Sequence, residues 1–448
     1  MNHHTDFTTG PIVRPLLLFS LPILLALFLQ ALYGAVDLLI VGKYAESADV
    51  SGVAVGSQIM MTVTNLISSF AMGTTILLGQ KLGERDREAG GAIVGTSVCI
   101  FFFVGILMTV LVPLLSGPLA RAMNAPAEAF SQTRRYIAIC GGGSVMIIAY
   151  NVLGSVMRGI GDSRTPLLTV AIATVCNICG DLLLIRGFHL GAAGAAIATV
   201  ASQTLSVIVS FLLLRRGALP FRFTREHIRV DRKLLRRITE FGAPIALQDL
   251  LVGLSFLVIL AIVNQLGLIA SAGVGVAEKV CAFIMLLPAA FMQAMSAFVA
   301  QNRGAGKDER AVRGLKIAIG LSTAFGVLMF LLAFFRGDLL CSVFSRDGEV
   351  VAAGFDYLRA YAIDCLFTCF LFCFIGFYNG LGHTEFVMLQ GIGAAFFIRI
   401  PVAYLMRIST GRLFYIGLSI PCSTVIQIAA CFLFYARIRK KDLRLNSD

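Results

Sequence analysis

The sequence has few charged residues: 14% of its 448 side chains are charged, whereas 58% are hydrophobic. Soluble globular domains carry about 25% charged residues, so this chain is too apolar to fold as a water-soluble globule. A membrane-spanning helix needs about 20 consecutive apolar residues. Twelve such helices would leave room for loops but none for a large catalytic domain, so we expect an integral membrane protein.

Sequence motifs of enzyme and metal sites are also lacking. The five histidines are scattered, and no His, Cys, Asp and Glu group has metal-ligand spacing. Residues 304–307 resemble the end of a phosphate-binding loop, but Asp308 stands where Ser or Thr is needed and Gln301 where Gly is needed. The 11 cysteines lie almost wholly in apolar runs, which is typical of helix packing rather than disulfides. We therefore predict no enzyme activity, no cofactor and no metal site.

Apolar stretches of spanning length predict twelve helices. The first stretch is longer than a signal-peptide core, so we expect it to remain as the first helix. The predicted spans lie near residues 15–41, 52–79, 91–113, 136–157, 165–185, 191–214, 242–265, 272–300, 317–335, 357–380, 386–406 and 413–436.

An internal repeat divides these helices into two sets of six, and it supplies the boundary between the seventh and eighth helices, which hydropathy alone would not split. Pro22 falls on Pro244 at an offset of 222 residues, and Gln80 and Gly83 fall on Gln301 and Gly304 at an offset of 221. Because each copy has an even number of helices, both copies have the same orientation, as in transporters whose repeats are related by an axis along the membrane normal. The predicted fold is all-α, with twelve transmembrane helices in two six-helix lobes related by a pseudo-two-fold axis along that normal. The predicted parts are an N-lobe (1–214), a basic cytoplasmic linker (215–237) and a C-lobe with a basic cytoplasmic tail (238–448).

The net charge of +12 is mostly a signal of membrane topology. The chain has 37 Lys and Arg against 25 Asp and Glu, and most of the basic residues lie in loops on one predicted face. Nine of them fall within 215–237, where we also expect an interfacial helix. Because cytoplasmic loops carry an excess of Lys and Arg, both termini should be cytoplasmic. The basic residues should contact membrane lipids, and no nucleic acid is expected as a partner.

Ionisable groups inside apolar spans are costly and are the first candidates for a functional site. Asp37 follows 21 uncharged residues, and Gln30, Tyr33 and Asp37 project from one helix face. Pro22 removes a backbone hydrogen bond earlier in the same helix, so the helix can bend there. The alternative is that Asp37 lies near the outer end of the helix and faces water.

Other polar side chains of the first half should converge with Asp37. A buried carboxylate pair suits the binding of protons or of a cation, although single Ser, Thr and Asn residues in membrane helices more often form interhelical hydrogen bonds. Met61 and Phe70 could line a permissive cavity, but packing against lipid is their default role. The convergent polar residues are Asn151 and Ser155 of the fourth helix, Thr174, Asn177 and Asp181 of the fifth, and Thr199, Ser202, Gln203 and Ser206 of the sixth.

The second half lacks the counterparts of Asp37 and Asp181. It contains Glu278, Asp364 and Arg399 within its apolar spans instead. A buried Arg is costly without a partner, so we expect Arg399 to pair with Asp364 or Glu278. A structural ion pair and a role in transport remain equal alternatives for this group.

Several motifs together resemble the multidrug and toxic compound extrusion (MATE) family, in its prokaryotic type. The likeness covers nearly the whole chain, and it rests on the order of the motifs and the duplicated six-helix plan. The motifs are Phe19-Ser20-Leu21-Pro22, Val36-Asp37, Val41-Gly42, Gln80-Lys81-Leu82-Gly83, Arg158-Gly159-Ile160-Gly161-Asp162-Ser163 and Gln301-Asn302-Arg303-Gly304-Ala305-Gly306.

The resemblance implies two lobes around a V-shaped cavity and alternating access driven by inward H⁺ or Na⁺ flow. It implies that Asp37 is the coupling site. Another branch of the family uses C-lobe carboxylates for Na⁺, for which Glu278 and Asp364 are the candidates here. The family residues that accompany the coupling Asp match Tyr33, Asn151, Asn177, Asp181 and Thr199.

The expected function is therefore antiport: an H⁺- or Na⁺-coupled monomer in a prokaryotic inner membrane that exports amphipathic, often cationic, organic compounds. The substrate cavity would include Gln30, Ser202, Gln203, Met61 and Phe70. One alternative is a flippase for lipid-linked precursors of the same superfamily, although few basic residues lie in the spans to hold a pyrophosphate. A non-transporting membrane scaffold is the remaining class, and it predicts no ion-dependent flux.

Overall fold

The structure, a computed structural model, describes residues 5–216, 219–221 and 223–445. Eleven helices of this part are long and apolar enough to cross a membrane, and one bent helix pair brings the number of spans to twelve. The all-helical fold predicted from the sequence is confirmed.

The twelve spans are labelled in chain order. They are α1 (Val13–Tyr44), α2 (Ser47–Gly83), α3 (Arg87–Leu114), α4 (Phe130–Gly142 and Ser144–Gly159), α5 (Arg164–Asp181), α6 (Gly191–Arg216), α7 (Arg232–Asn264), α8 (Leu268–Ile284 and Leu286–Gly304), α9 (Asp308–Ser342), α10 (Gly348–Leu381), α11 (Thr384–Ala394 and Ile400–Ser409) and α12 (Leu413–Gly417 and Ser419–Leu445).

Local sequence signals account for several helix ends. Asp86 precedes α3 and its carboxylate accepts from the Ala89 amide at 3.0 Å, and Asp347 caps α10 in the same way. Such side chains satisfy amides that have no partner within the helix. Gly267 has φ +105°, a conformation that suits glycine, and it separates α7 from α8. The boundary between these two helices, which hydropathy alone did not indicate, therefore lies where the repeat predicted it.

Several spans contain irregular backbone that hydropathy did not predict, among them α4, α5 and α11. The two parts of α4 meet at an angle of 57°. A Cβ at Gly143, the residue between them, would lie 2.4 Å from the Val200 side chain, so a larger residue cannot occupy the bend. In α5 and α11 the helix widens into π-helical turns, at Leu182–Gly187 and Ala395–Arg399. Such turns are frequent at functional sites.

The chain forms two compact units. Unit 1 comprises residues 1–246 together with 300–307, and unit 2 comprises residues 247–299 and 308–448. In unit 1, α5 packs between α1 and α6. In unit 2, α10 is the most enclosed helix, since 72% of its apolar window is buried.

Both ends of the predicted linker, residues 215–237, are helical. The helix α6 extends to Arg216 and α7 begins at Arg232. Residues 217, 218 and 222 lie outside the described residues. In the part of the linker that is described, a 3₁₀ turn at Arg225–His227 takes the place of the predicted interfacial helix.

The segment before α1 is tied to the last turn of α8 within unit 1. Phe7 is fully buried, and its ring packs edge-on against Phe19 with centroids 5.0 Å apart. The Phe7 amide donates to Gln301 Oε1 at 3.3 Å, and Asn302 Nδ2 donates to the Phe7 carbonyl at 3.2 Å. The motif that begins at Gln301 therefore anchors the start of the chain.

A turn around Asp6 supports the same contact. The amide and hydroxyl of Thr8 donate to Asp6 Oδ1 at 2.8 and 2.6 Å, and Lys307 Nζ donates to the Thr8 carbonyl at 2.8 Å. Partial burial raises the pKa of Asp6, but hydrogen bonds from Thr8 and Thr9 and the charge of Lys307 outweigh it, so this pKa lies below its usual value. A lowered carboxyl pKa stabilises the folded state above the unfolded pKa, and this contribution is lost as pH falls through the folded one.

Replacing Phe7 with Ala should lower the stability of the protein by about 3–5 kcal/mol, the usual cost of truncating a buried Phe. Thermal unfolding of detergent-purified protein, followed with a thiol-reactive dye, measures this because most cysteines are partly or fully buried. The matched control is Phe188→Ala in the same unit, where the side chain is 63% exposed. Equal melting temperatures for the two variants would show that the anchored segment does not contribute to stability.

The ends of α2 and α8 meet in a reciprocal contact, also within unit 1. A Cβ at Gly83 would lie 2.0 Å from the carbonyl oxygen of Gln301, and a Cβ at Gly304 would lie 1.8 Å from that of Gln80. These are the two copies of the Gln-x-x-Gly motif identified by the repeat. Each copy needs glycine because the backbone of the other copy occupies the space of a side chain.

Candidate functional site in unit 1

Two buried carboxyl groups meet where α1 packs along α5. Asp37 is 3% exposed and Asp181 is fully buried, and the two carboxyl groups lie close enough to influence each other. A carboxylate only accepts hydrogen bonds, so a bond between the two would require a proton on one of them. Asp37 Oδ1 and both Asp181 oxygens have no hydrogen-bond partner in the described structure. With only 3% of its surface exposed, Asp37 does not face water, as the alternative from the sequence would require.

Asn177 lies one turn before Asp181 on the same face of α5. It is fully buried, and neither its amide nitrogen nor its carbonyl oxygen has a hydrogen-bond partner in the described structure. A buried polar group without a partner costs about 1–3 kcal/mol. The π-helical turn begins directly after Asp181. The buried polar residues Asn177 and Asp181 therefore lie next to irregular backbone.

Tyrosine and threonine hydroxyls border the carboxyl pair. Tyr33 donates to Thr199 Oγ1 of α6 at 2.9 Å, and Tyr33 lies close enough to Asp37 and Asp181 for their charges to act on it. Tyr136 of α4 also lies close to Thr199 and Asp37. Side chains of α1, α4, α5 and α6 therefore surround one polar centre.

The remaining predicted polar residues form hydrogen bonds around this centre. Gln30 donates to the Tyr150 hydroxyl at 3.4 Å, and Asn151 accepts from the Ser68 hydroxyl at 2.7 Å. These contacts are interhelical, which is the more common role of such residues. The hydroxyls of Ser202, Ser206 and Thr174 donate to backbone carbonyls, and that of Ser155 accepts from Arg158.

Four predicted residues differ in their surroundings. Gln203 is half-buried, and its Oε1 has no partner in the described structure. Met61 is 59% exposed. Phe70 packs against Phe101, with centroids 5.7 Å apart, in an apolar cluster of unit 1. Pro22 lies inside α1, which runs as one helix through it.

Arg399 of unit 2 is not paired as expected. It is 5% exposed, and no carboxylate lies within 4.0 Å of it in the described part of the chain. Its Nη1 instead donates to Ser255 Oγ at 3.1 Å, and its guanidinium lies 4.6 Å from the centroid of the Phe256 ring. Asp364 and Arg399 therefore act on each other electrostatically but form no contact ion pair. The groups that contact the guanidinium directly are the Ser255 hydroxyl and the Phe256 ring of α7.

Asp364 has a hydroxyl partner rather than a contact ion pair. It is 3% exposed and accepts from Thr368 at 2.7 Å. The Thr424 hydroxyl lies nearby but donates to the Ile420 carbonyl at 3.1 Å, and the positive charge of Arg399 acts on Asp364 from a greater distance. Glu278 is half-buried, and Lys279 beside it is exposed.

Sequence reasoning did not assign Tyr136 or Tyr150 to the site. Both are at least 91% buried and contact residues that were predicted. The sequence did contain a signal for Tyr136: the repeat aligns it with Tyr357, so both halves have tyrosine at this position. For Tyr150 the sequence offers no comparable signal.

Twelve apolar helices that enclose buried ionisable groups define an integral membrane transporter. The MatE family model matches residues 22–183 and 244–405. These matches cover more than half of the chain, so the chain belongs to the MATE family, whose members are transporters rather than enzymes. The two matches begin 222 residues apart, in agreement with the internal repeat.

Relatives and solved structures support this assignment. The chain is 26% identical over 444 residues to the probable multidrug resistance protein YpnP of Bacillus subtilis, with 99% of each chain covered. It is 22% identical over 433 residues to the multidrug export protein MepA of Staphylococcus saprophyticus, covering 96% of this chain and 95% of that one. Its fold matches a MATE protein solved in complex with MaL6 at a TM-score of 0.91 and 18% identity, covering 99% of this chain and 100% of the other.

Proposed function

We propose that the protein is a cation-coupled antiporter that exports amphipathic, often cationic, organic compounds by alternating access. The names of YpnP and MepA support multidrug export. The observation that carries the proposal is the buried pair Asp37 and Asp181, which can hold a proton between its carboxyl groups. We place the coupling ion, H⁺ or Na⁺, at this pair.

The proposed cycle depends on the charge of the pair. When both carboxyl groups are ionised, they attract a cationic substrate or Na⁺ because little else nearby offsets their charge. A proton or Na⁺ from outside removes that attraction, and α1 then bends at Pro22 and releases the substrate. Each ligand needs only to prefer one state of the cycle. Asn177, Tyr33, Thr199 and the other hydroxyls of the centre would orient the pair, and Asn151 would support it from α4.

We propose further that the protein acts as a monomer in the inner membrane of a prokaryote, with both termini in the cytoplasm. The distribution of Lys and Arg supports this orientation. The division into an N-lobe and a C-lobe at the basic linker belongs to the same proposal. The comparisons give no support to the lipid-linked precursor alternative.

The test is a flux assay in proteoliposomes with each gradient imposed alone. A fluorescent organic cation should be exported when an inward H⁺ or an inward Na⁺ gradient is applied, and export should stop when an ionophore dissipates that gradient. The ion whose gradient drives export is the coupling ion. If neither gradient drives export of organic cations, the antiport proposal is wrong.

A further inference from the structure

Arg158 is a positive charge of unit 1 that no carboxylate balances. It lies half-buried in the last turn of α4, and its Nε is buried without a hydrogen-bond partner in the described structure. The hydrogen bond that its guanidinium does make runs from Nη2 to Ser155 Oγ at 2.9 Å. A charged group in a membrane span is costly unless it is paired, and it marks a functional site by default. Arg158 therefore lacks a negative partner among the described residues.

The nearest carboxylate along the chain is engaged elsewhere. Asp162 follows Arg158 closely in sequence, but the chain turns after α4 and Asp162 caps α5 instead. It accepts from the amides of Arg164 and Thr165, each at 3.0 Å, and from the Thr165 hydroxyl at 2.6 Å. The guanidinium also turns back along the helix, away from the carbonyls that end α4, so that a Cβ at Gly154 would lie 3.3 Å from its Nη1. Neither Asp162 nor the end of the helix therefore takes up the donors of this guanidinium.

The hydroxyl of Tyr150 adds a second donor. Arg158 lies close enough to Tyr150 for its charge to act on the phenol. The Tyr150 oxygen accepts from Gln30 Nε2 at 3.4 Å, and its own proton has no acceptor in the described structure. Arginine has N–H donors and no acceptor. Tyr150 and Arg158, which we call the donor cluster, therefore have protons to donate and too few groups around them to accept.

The donor cluster is open on one side. Gly154 and Arg158 are half-buried, and Gln30, which bonds Tyr150, is exposed. Because Gly154 has no side chain, it leaves space beside Nη1 of Arg158. The guanidinium therefore faces space that a small solute can reach.

The internal repeat indicates that the six-helix fold does not require this cluster. At the offset of 221 residues, unit 2 has no charge, no phenol and no glycine at the corresponding positions. The counterparts of Tyr150, Gly154 and Arg158 are Leu371, Ile375 and Asn379. Unit 2 thus folds in the same way without the charge, the second donor or the space, so we attribute the cluster in unit 1 to binding.

We propose that the donor cluster binds one compact monovalent anion, such as chloride or formate, with Arg158 as its counter-ion and the Tyr150 hydroxyl as a further donor. Arginine recognises anions through N–H donors of this kind. Nη2 already donates to Ser155, which leaves Nη1, on the open side beside Gly154, for the anion. A single guanidinium balances one negative charge, so a divalent anion would leave a charge uncompensated within a span. The inference goes beyond the proposed export function and does not depend on it.

Equilibrium dialysis of radiolabelled chloride against the purified full-length protein, in a zwitterionic buffer free of other inorganic salts, tests the inference. One saturable site per chain is expected, and Arg158→Gln should weaken binding about tenfold or more. The matched control is Arg134→Gln, which removes the same charge from an exposed position of the same helix. The inference is overturned if Arg158→Gln binds chloride as the control does, or if the wild-type protein shows no saturable binding.

A second variant keeps the proposal testable if Arg158→Gln does not fold. Tyr150→Phe retains the ring and the guanidinium but removes the hydroxyl, so it should bind chloride several-fold more weakly while it unfolds near the wild-type temperature. Unchanged chloride affinity in this variant would overturn a site built from both donors.

Competition defines the class of anion. Formate should displace the labelled chloride from the wild-type protein, because it is also compact and carries one negative charge. An equal concentration of sulfate should not displace it. Displacement by sulfate, or none by formate, would contradict a site for compact monovalent anions. Binding is measured without a gradient, so its outcome is separate from that of the export assay.

Discussion

Asp37→Asn is expected to reduce gradient-driven export to the level of protein-free liposomes. Asparagine has nearly the same shape as aspartate but cannot ionise, so it can neither take up and release a proton nor attract a cation by charge. Without Asp37, the buried Asp181 would have no second carboxyl group with which to share a proton or a cation. Export is measured in proteoliposomes with the gradient that drives the wild-type protein.

The control for this experiment is Asp86→Asn in the same unit. Asp86 caps α3 from a loop, and asparagine also caps helices well. This variant should therefore transport like the wild-type protein. Normal export by Asp37→Asn, with comparable expression, would remove Asp37 from the coupling mechanism.

Gly304→Ala should destabilise the fold by about 3 kcal/mol, at the upper end of the usual cost of overpacking. The new methyl group would lie 1.8 Å from the Gln80 carbonyl oxygen, and this neighbour is backbone that cannot rotate away. Gly83→Ala should act in the same way, because its methyl would lie 2.0 Å from the Gln301 carbonyl oxygen. The dye-based thermal unfolding assay measures both effects.

Gly320→Ala provides the matched control for these glycine substitutions. Gly320 lies inside α9, and nothing is within 4 Å of the position of its Cβ. Alanine favours the helix over glycine by about 1 kcal/mol, so this variant should unfold at the same temperature as the parent or slightly above it. A melting temperature for Gly304→Ala as high as that of Gly320→Ala would mean that the ends of α2 and α8 can separate without cost.

The sequence predicted the helical fold because the signals for it are local and strong. Apolar runs mark the spans, and the repeat indicated a boundary between the seventh and eighth helices, which the structure places at Gly267. The bend at Gly143 was not predicted, since it depends on the close approach of Val200 from another helix. The π-helical turn after Asp181 was not predicted either, because its hydrophobic residues show no spacing that distinguishes it from an α-helix.

Predictions for individual side chains depended on whether their partners lie on the same helix. The shared face of Asn177 and Asp181 follows from their spacing along α5. Which helix faces Arg399 depends on how neighbouring helices rotate, and the sequence does not encode this in any local pattern. Its hydrogen bond to Ser255 and its contact with Phe256 could therefore be found only in the structure.

The reciprocal contact of the two Gln-x-x-Gly motifs has local two-fold character, because each motif meets the other in the same way. Each glycine lies under a backbone carbonyl oxygen of the other motif. A side chain added to either glycine would therefore push apart both motifs, and neither half of the contact can change alone.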